Sequence, residues 1–162
     1  MELKVPLLLA RVAVACAGVG VILQVVAVAA PGWSASDYTD YSKGLWESCD
    51  GRNCTSIYDG SKVPVWLQSC RTFGILSVIL LALSLVVGVV ACCIEYHGLS
   101  SAAAICAFMA TVCILIECAV YAGKVDMPGT WRLGYSFVLS VIACGLSIGA
   151  TIFFFFSKRK IA

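Results

Sequence analysis

Four long apolar stretches leave this chain few ways to fold. Bounded by the charges at Arg11 and Asp37, Arg71 and Glu95, His97 and Lys124, and Arg132 and Lys158, they run over 12–31, 72–94, 99–123 and 133–157 and hold 20, 23, 25 and 25 residues. At about 1.5 Å of rise per residue, a helix of such length reaches roughly 30 Å or more, the thickness of a bilayer's hydrocarbon core. Composition agrees: 61% of the 162 residues are hydrophobic and 12% are charged, against about 45–50% and 25% in ordinary soluble domains. The expected structure is one membrane domain over 1–162, an all-α four-helix transmembrane bundle. What remains is an 11-residue head, a loop at 32–71, a turn at 95–98, a loop at 124–132 and a tail at 158–162. None of these can house a soluble catalytic domain.

Four spans put both termini on one side. Lys4, Arg11, Lys158, Arg159 and Lys160 fall on the short terminal segments, whereas the six basic residues of the two longer loops are spread more thinly. That density favours cytoplasmic termini. Loop 32–71 also carries Cys49, Cys54 and the sequon Asn53-Cys54-Thr55, and both disulfides and N-glycans belong to the outer or lumenal side. The first stretch has some features of a cleaved signal, with Lys4, Arg11 and Ala27-Val28-Ala29. It is longer than a signal core of about 7–15 residues, and Pro31-Gly32-Trp33 follows as an interfacial marker, so the expectation is an uncleaved first helix. The net charge of +2 provides no broad basic face for nucleic acid.

Loop 32–71 is the one extramembrane segment large enough to fold. Tyr38, Thr39, Tyr41, Leu45, Trp46, Thr55, Ile57 and Tyr58 are strand-forming residue types. Short hairpins bury too little apolar area to stand alone, so a cross-link is expected, and Cys49-Asp50-Gly51-Arg52-Asn53-Cys54 offers one across an Asp-Gly turn. Ser61-Lys62-Val63-Pro64 reads as a helix start, leading through a short helix at Val65–Cys70 into the second span.

These residues carry a resemblance. Trp33, then Gly44-Leu45-Trp46, Cys49 and Cys54, and Arg71 reproduce the W-GLW-C-C-R pattern shared by claudins, peripheral myelin protein, epithelial membrane proteins and lens intrinsic membrane protein. Pro31-Gly32-Trp33 resembles the claudin P-x-W, and Leu67-Gln68-Ser69-Cys70-Arg71 resembles L-Q-x-x-R. The resemblance implies a left-handed four-helix bundle carrying a small extracellular antiparallel β-sheet in the first loop. It also implies plasma-membrane localisation at cell–cell contacts and self-association of loops in cis and trans. Trp33, Gly44, Leu45, Trp46 and Arg71 are then expected to anchor the loop in shape, with Trp33 and Trp46 also able to wedge at the lipid interface and Arg71 able to satisfy loop carbonyls or an acid.

Departures narrow the branch. The cysteines are closer together than is usual in claudins, and neutral Thr55 stands where many claudins place pore-lining charge. The tail lacks the terminal Tyr-Val through which claudins bind PDZ scaffolds, so no PDZ partner is expected. Its short basic end and Gly134-Tyr135-Ser136-Phe137-Val138-Leu139 look closer to the peripheral myelin and epithelial membrane proteins.

Within the spans, Glu117 is the sole acid and Gln24 the other large polar group. Cys106, Ala110, Cys113, Glu117 and Tyr121 share one helical face. Cys113 and Glu117 lack a third ligand, so no metal is assigned; the expected state is a protonated glutamate hydrogen-bonded between helices. Pairs of small residues, Ala13 and Ala17, Cys16 and Gly20, Ser84 and Gly88, and Gly145 and Gly149, suit close helix contacts. Cys92 and Cys93, at the inner end of the second span, are candidate palmitoylation sites. Lys158 and Lys160 also resemble a dilysine retrieval signal, consistent with some cycling through the ER.

An enzyme is not expected. There is no C-x-x-C pair of the kind vitamin K epoxide reductase, a cysteine-containing protein of about four spans, needs, no Ser/His/Asp set and no phosphate loop, and no cofactor is implied. The rival is an auxiliary subunit of a channel or receptor, since channel gamma subunits share W-GLW-C. Expected partners are therefore the lipid bilayer, further copies of the chain, related four-span proteins or a channel subunit.

Overall fold

The computed structural model describes residues 4–57, 63–94 and 96–159. Tyr58, Asp59, Ser61, Lys62, Glu95 and the tail from Lys160 lie outside the described residues, so the proposed helix start at Ser61 and the dilysine reading do as well. Four helices follow the hydropathy: α1 (Lys4–Ala29), α2 (Val65–Ile94), α3 (His97–Lys124) and α4 (Tyr135–Arg159). All four are long and apolar enough to cross a membrane. The four prolines respect helix geometry, with Pro6 in the first turn of α1, Pro31 beyond its end, Pro64 just before α2 and Pro128 in the second loop. Val65–Cys70 is not a separate short helix. It is continuous with the second span in a 30-residue helix, about 45 Å long at 1.5 Å per residue, longer than the roughly 30 Å of a hydrocarbon core.

The helices pack as a ring, α1 against α2 and α4, and α3 against the same two. The buried positions of α2 are Leu67, Cys70, Gly74, Ser77, Leu81, Ser84 and Gly88, alternating steps of three and four. Ser100, Ala103, Ala107, Ala110, Ile114, Glu117 and Tyr121 repeat that rhythm on α3. This 3.5-residue period is the one that lets helices track one another over many turns. Most of these side chains are small. In lipid, apolar burial gives no net drive for helix association, so close approach and interhelical hydrogen bonds must supply it. Ser84 Oγ donates to Ala103 O at 2.8 Å, Ser147 Oγ to Ala107 O at 2.8 Å, and Ser157 Oγ to Pro6 O at 3.0 Å. Ile22, Ile79, Ile105 and Ile152 are among the large apolar side chains turned outward instead.

Over the end of the bundle where α1 finishes and α2 begins lies an antiparallel sheet of five strands: β1 (Ser34–Ser36), β2 (Tyr41–Lys43), β3 (Glu47–Asp50), β4 (Asn53–Ser56) and β5 (Trp131–Leu133). Their spatial order is β4-β3-β2-β1-β5. The sheet is therefore not confined to the first loop: the second loop supplies β5, which pairs with β1 through Ser34 opposite Leu133 and Ser36 opposite Trp131. The strands also differ from those that residue type suggests. Tyr38 and Thr39 lie in a bend, and Leu45 and Trp46 connect β2 to β3, because Leu45 is required in the core below.

Candidate functional site

Trp33, Gly44, Leu45 and Arg71 of the pattern occupy the junction between sheet and bundle, while Cys49 and Cys54 lie in the sheet itself. Pro31 ends α1, and the chain then dives inward, so Trp33 is completely buried rather than wedged in lipid. Its indole Nε1 donates to Ala27 O at 2.7 Å, closing a free carbonyl of the last turn of α1. Its ring lies 4.8 Å from Tyr121 and 5.9 Å from Phe137 between centroids, tying α1, α3 and α4 together. Tyr121 Oη in turn donates to Ser34 Oγ at 3.2 Å, the first residue of the sheet.

Gly44 and Leu45 complete this plug. A Cβ on Gly44 would stand 2.6 Å from Pro31 Cα and 2.7 Å from Ala30 O, so only glycine lets the β2–β3 connection press against the end of α1. That contact delivers Leu45, fully buried, into a cluster with Val28, Trp33, Leu67, Cys70 and Tyr121. Trp46, the next residue, faces out and keeps 38% of its surface exposed. Arg71 holds both neighbours: its Nε donates to Leu45 O at 2.8 Å, and its guanidinium lies 4.6 Å above the Trp46 ring. Of the two partners proposed for Arg71, the loop carbonyl is the one it meets.

The sheet is fastened at both edges. Cys49 and Cys54 are directly opposite in the β3–β4 register and are disulfide-bonded. Glu47 lies close to both sulfurs, but sulfurs joined to each other are not thiolate ligands. At the far edge Lys43 Nζ sits 5.3 Å from the Trp131 ring and 5.7 Å from the Tyr41 ring, and Arg132 pairs with Asp37 at 3.0 Å. The sequence reading missed this second-loop contribution; the alternation in Trp131-Arg132-Leu133 is its signal.

Deeper in the bundle, Gln24 and Glu117 meet. Gln24 Nε2 donates to Glu117 Oε2 at 2.8 Å and to Ser77 Oγ at 3.1 Å, while Ser140 Oγ donates to Gln24 Oε1 at 3.0 Å. All four residues are fully buried, one from each helix. Gly74 makes room, since a Cβ there would stand 2.5 Å from Glu117 Oε1, an oxygen that has no hydrogen-bond partner among the described residues. Cys113 is buried one turn away. The roles of Ser77 and Ser140 were not anticipated, although both fall on the 3.5-residue rhythm of their helices.

Near the C-terminal end of α2, Cys92 is half-buried and Cys93 exposed. The small pairs divide: Ala13 and Ala17 are fully buried in the bundle, whereas Cβ atoms on Gly145 and Gly149 would meet no other helix. Asn53 is exposed at the start of β4.

A conserved-profile comparison matches residues 5–154 to the PMP-22/EMP/MP20/Claudin family. Among curated proteins, the chain is 30% identical over 155 residues to lens fiber membrane intrinsic protein of Rattus norvegicus, covering 89% of this chain and 88% of that one. It is 28% identical over 155 residues to the Homo sapiens protein of that name, with the same coverage. It is 28% identical over 149 residues to epithelial membrane protein 1 of Mus musculus, covering 86% of this chain and 90% of that one. With Trp33, Gly44, Leu45 and Arg71 assembled beneath a sheet that Cys49 and Cys54 staple, on four membrane helices, the chain belongs to the PMP-22/EMP/MP20/Claudin family.

Proposed function

We propose that this protein is a non-enzymatic contact protein of the plasma membrane, with both termini cytoplasmic and its sheet outside. It acts at cell–cell contacts by lateral and trans self-association of that sheet. The observation that carries this reading is the division of labour in Gly44-Leu45-Trp46: Leu45 is sealed inside, while Trp46 is presented outward on a base clamped by Arg71. An aromatic held rigidly at a surface costs little conformational entropy on docking, which is why such residues anchor interfaces. The test uses tagged chains in non-adherent cells. Wild type should concentrate at borders between expressing cells, and Trp46→Ala should reach the surface equally well yet lose that enrichment. A mutant as enriched as wild type removes Trp46 as the anchor.

A second reading has its own support. The relatives reported above are a lens fiber protein and an epithelial membrane protein, and the hairpin tip between Cys49 and Cys54 is short. On that reading the chain organises its own membrane, or accompanies a channel or receptor, through the outward apolar faces of its helices. Uniform surface signal with a stable co-purifying membrane partner would favour it.

A further inference from the structure

The two edges of the sheet are guarded differently. At one edge, β5 carries the charged Arg132, paired with Asp37. At the other, β4 consists of Asn53-Cys54-Thr55-Ser56, uncharged and exposed at every residue. An exposed edge strand with neither charge nor proline is a template for pairing with another chain. Proteins that remain soluble and specific blunt such an edge. The residue opening this one, Asn53, is also the acceptor of an Asn-x-Thr sequon whose middle residue is not proline.

We infer that Asn53 carries an N-linked oligosaccharide and that this sugar is the guard of the β4 edge, excluding a second sheet from pairing there. The inference rests on the proposed topology, which places the sheet outside. In the transfer, the Asn53 amide nitrogen attacks the anomeric carbon of a lipid-pyrophosphate-linked oligosaccharide. The N–C bond forms as the anomeric C–O bond breaks, the lipid pyrophosphate leaves with the electron pair, and the amide proton passes to a base of the transferase. In the folded sheet Thr55 Oγ1 lies 3.5 Å from Ser48 Oγ, and Cys54 is joined to Cys49. The transferase therefore acts on the extended chain before β4 closes onto β3. Contacts between copies then fall on other parts of the sheet, Trp46 among them.

The experiment uses the full chain in animal cells. Wild type should gain mobility by one glycan on treatment with peptide N-glycosidase F; Asn53→Gln and Thr55→Val should run at that position untreated, and Thr55→Ser should keep the sugar. Unsugared Asn53→Gln should form larger assemblies in mild detergent than wild type, and Asn53→Gln with Thr55→Lys, which charges the edge, should return to wild-type size. In parallel, Tyr38→Cys, in the exposed bend, is labelled on intact cells with an impermeant maleimide. No mobility change with Tyr38→Cys labelled overturns the glycan and leaves the topology standing. An unlabelled Tyr38→Cys overturns the topology and the inference together. A glycan whose loss leaves assembly unchanged overturns the guarding role.

Discussion

Gln24 on α1 and Glu117 on α3 are joined through their side chains at 2.8 Å, although their helices pack on α2 and α4 rather than on each other. The pair spans the diagonal of the bundle, and Ser77 and Ser140 extend it to the other two helices. Buried polar groups in lipid must find partners within the protein. Each residue of this set thus specifies where its helix stops sliding against the others.

Glu117→Gln should preserve that arrangement, since a side-chain carbonyl still accepts from Gln24, and it should reach the surface at wild-type levels. Glu117→Leu leaves one N–H of the Gln24 amide without its acceptor, the other still donating to Ser77 Oγ, and should cost about 1–2 kcal/mol. Thermal unfolding in detergent checks both, and severe retention of the glutamine variant would point to a partner that needs the charge.

Gly74→Ala should be costly, because its methyl would lie 2.5 Å from Glu117 Oε1 and 3.0 Å from Val28 Cγ2; overpacking of this kind costs roughly 1–3 kcal/mol. The penalty should shrink in a Glu117→Ala background, a non-additivity that a double-mutant cycle reads directly. Gly145→Ala, with open space at its Cβ, should leave stability of the single chain unchanged.

Arg71→Lys should not substitute for arginine. A lysine has no planar group to lie on Trp46 and no Nε to donate to Leu45 O. Both Arg71→Lys and Arg71→Ala should lower thermal stability by about 1–2 kcal/mol. They should also shift the Trp46 emission, measured against a Trp46→Phe control.

Acyl-exchange labelling should report lipid on Cys93, the exposed member of the pair. Cys93→Ser should remove most of the signal and Cys92→Ser little; an unlabelled wild type would dismiss the modification.

Much of this was legible in the sequence, for identifiable reasons. The four helices are written in uninterrupted hydropathy, which only a bilayer rewards. The disulfide hairpin is written in two cysteines around an Asp-Gly turn. Trp33 reads in the sequence as a loop anchor also suited to the lipid interface; the structure buries it, with Ala27 O accepting from its indole and the Tyr121 ring packed beside it. Strand β5 was hidden because three residues next to a span carry too little periodicity to be read alone, and pairing with β1 is a tertiary event. The meeting of Gln24 with Glu117 was also invisible, because residues 93 apart in sequence are brought together only by helix order. Ser77 and Ser140 went unnoticed because isolated serines in apolar helices are common and usually bond within their own turn.

The most direct test of the proposed role mixes cells expressing the tagged wild-type chain with cells that lack it. The account predicts enrichment at borders between two expressing cells and none at borders between an expressing and a non-expressing cell. Equal signal at both kinds of border, or along free membrane, would contradict trans self-association through the sheet.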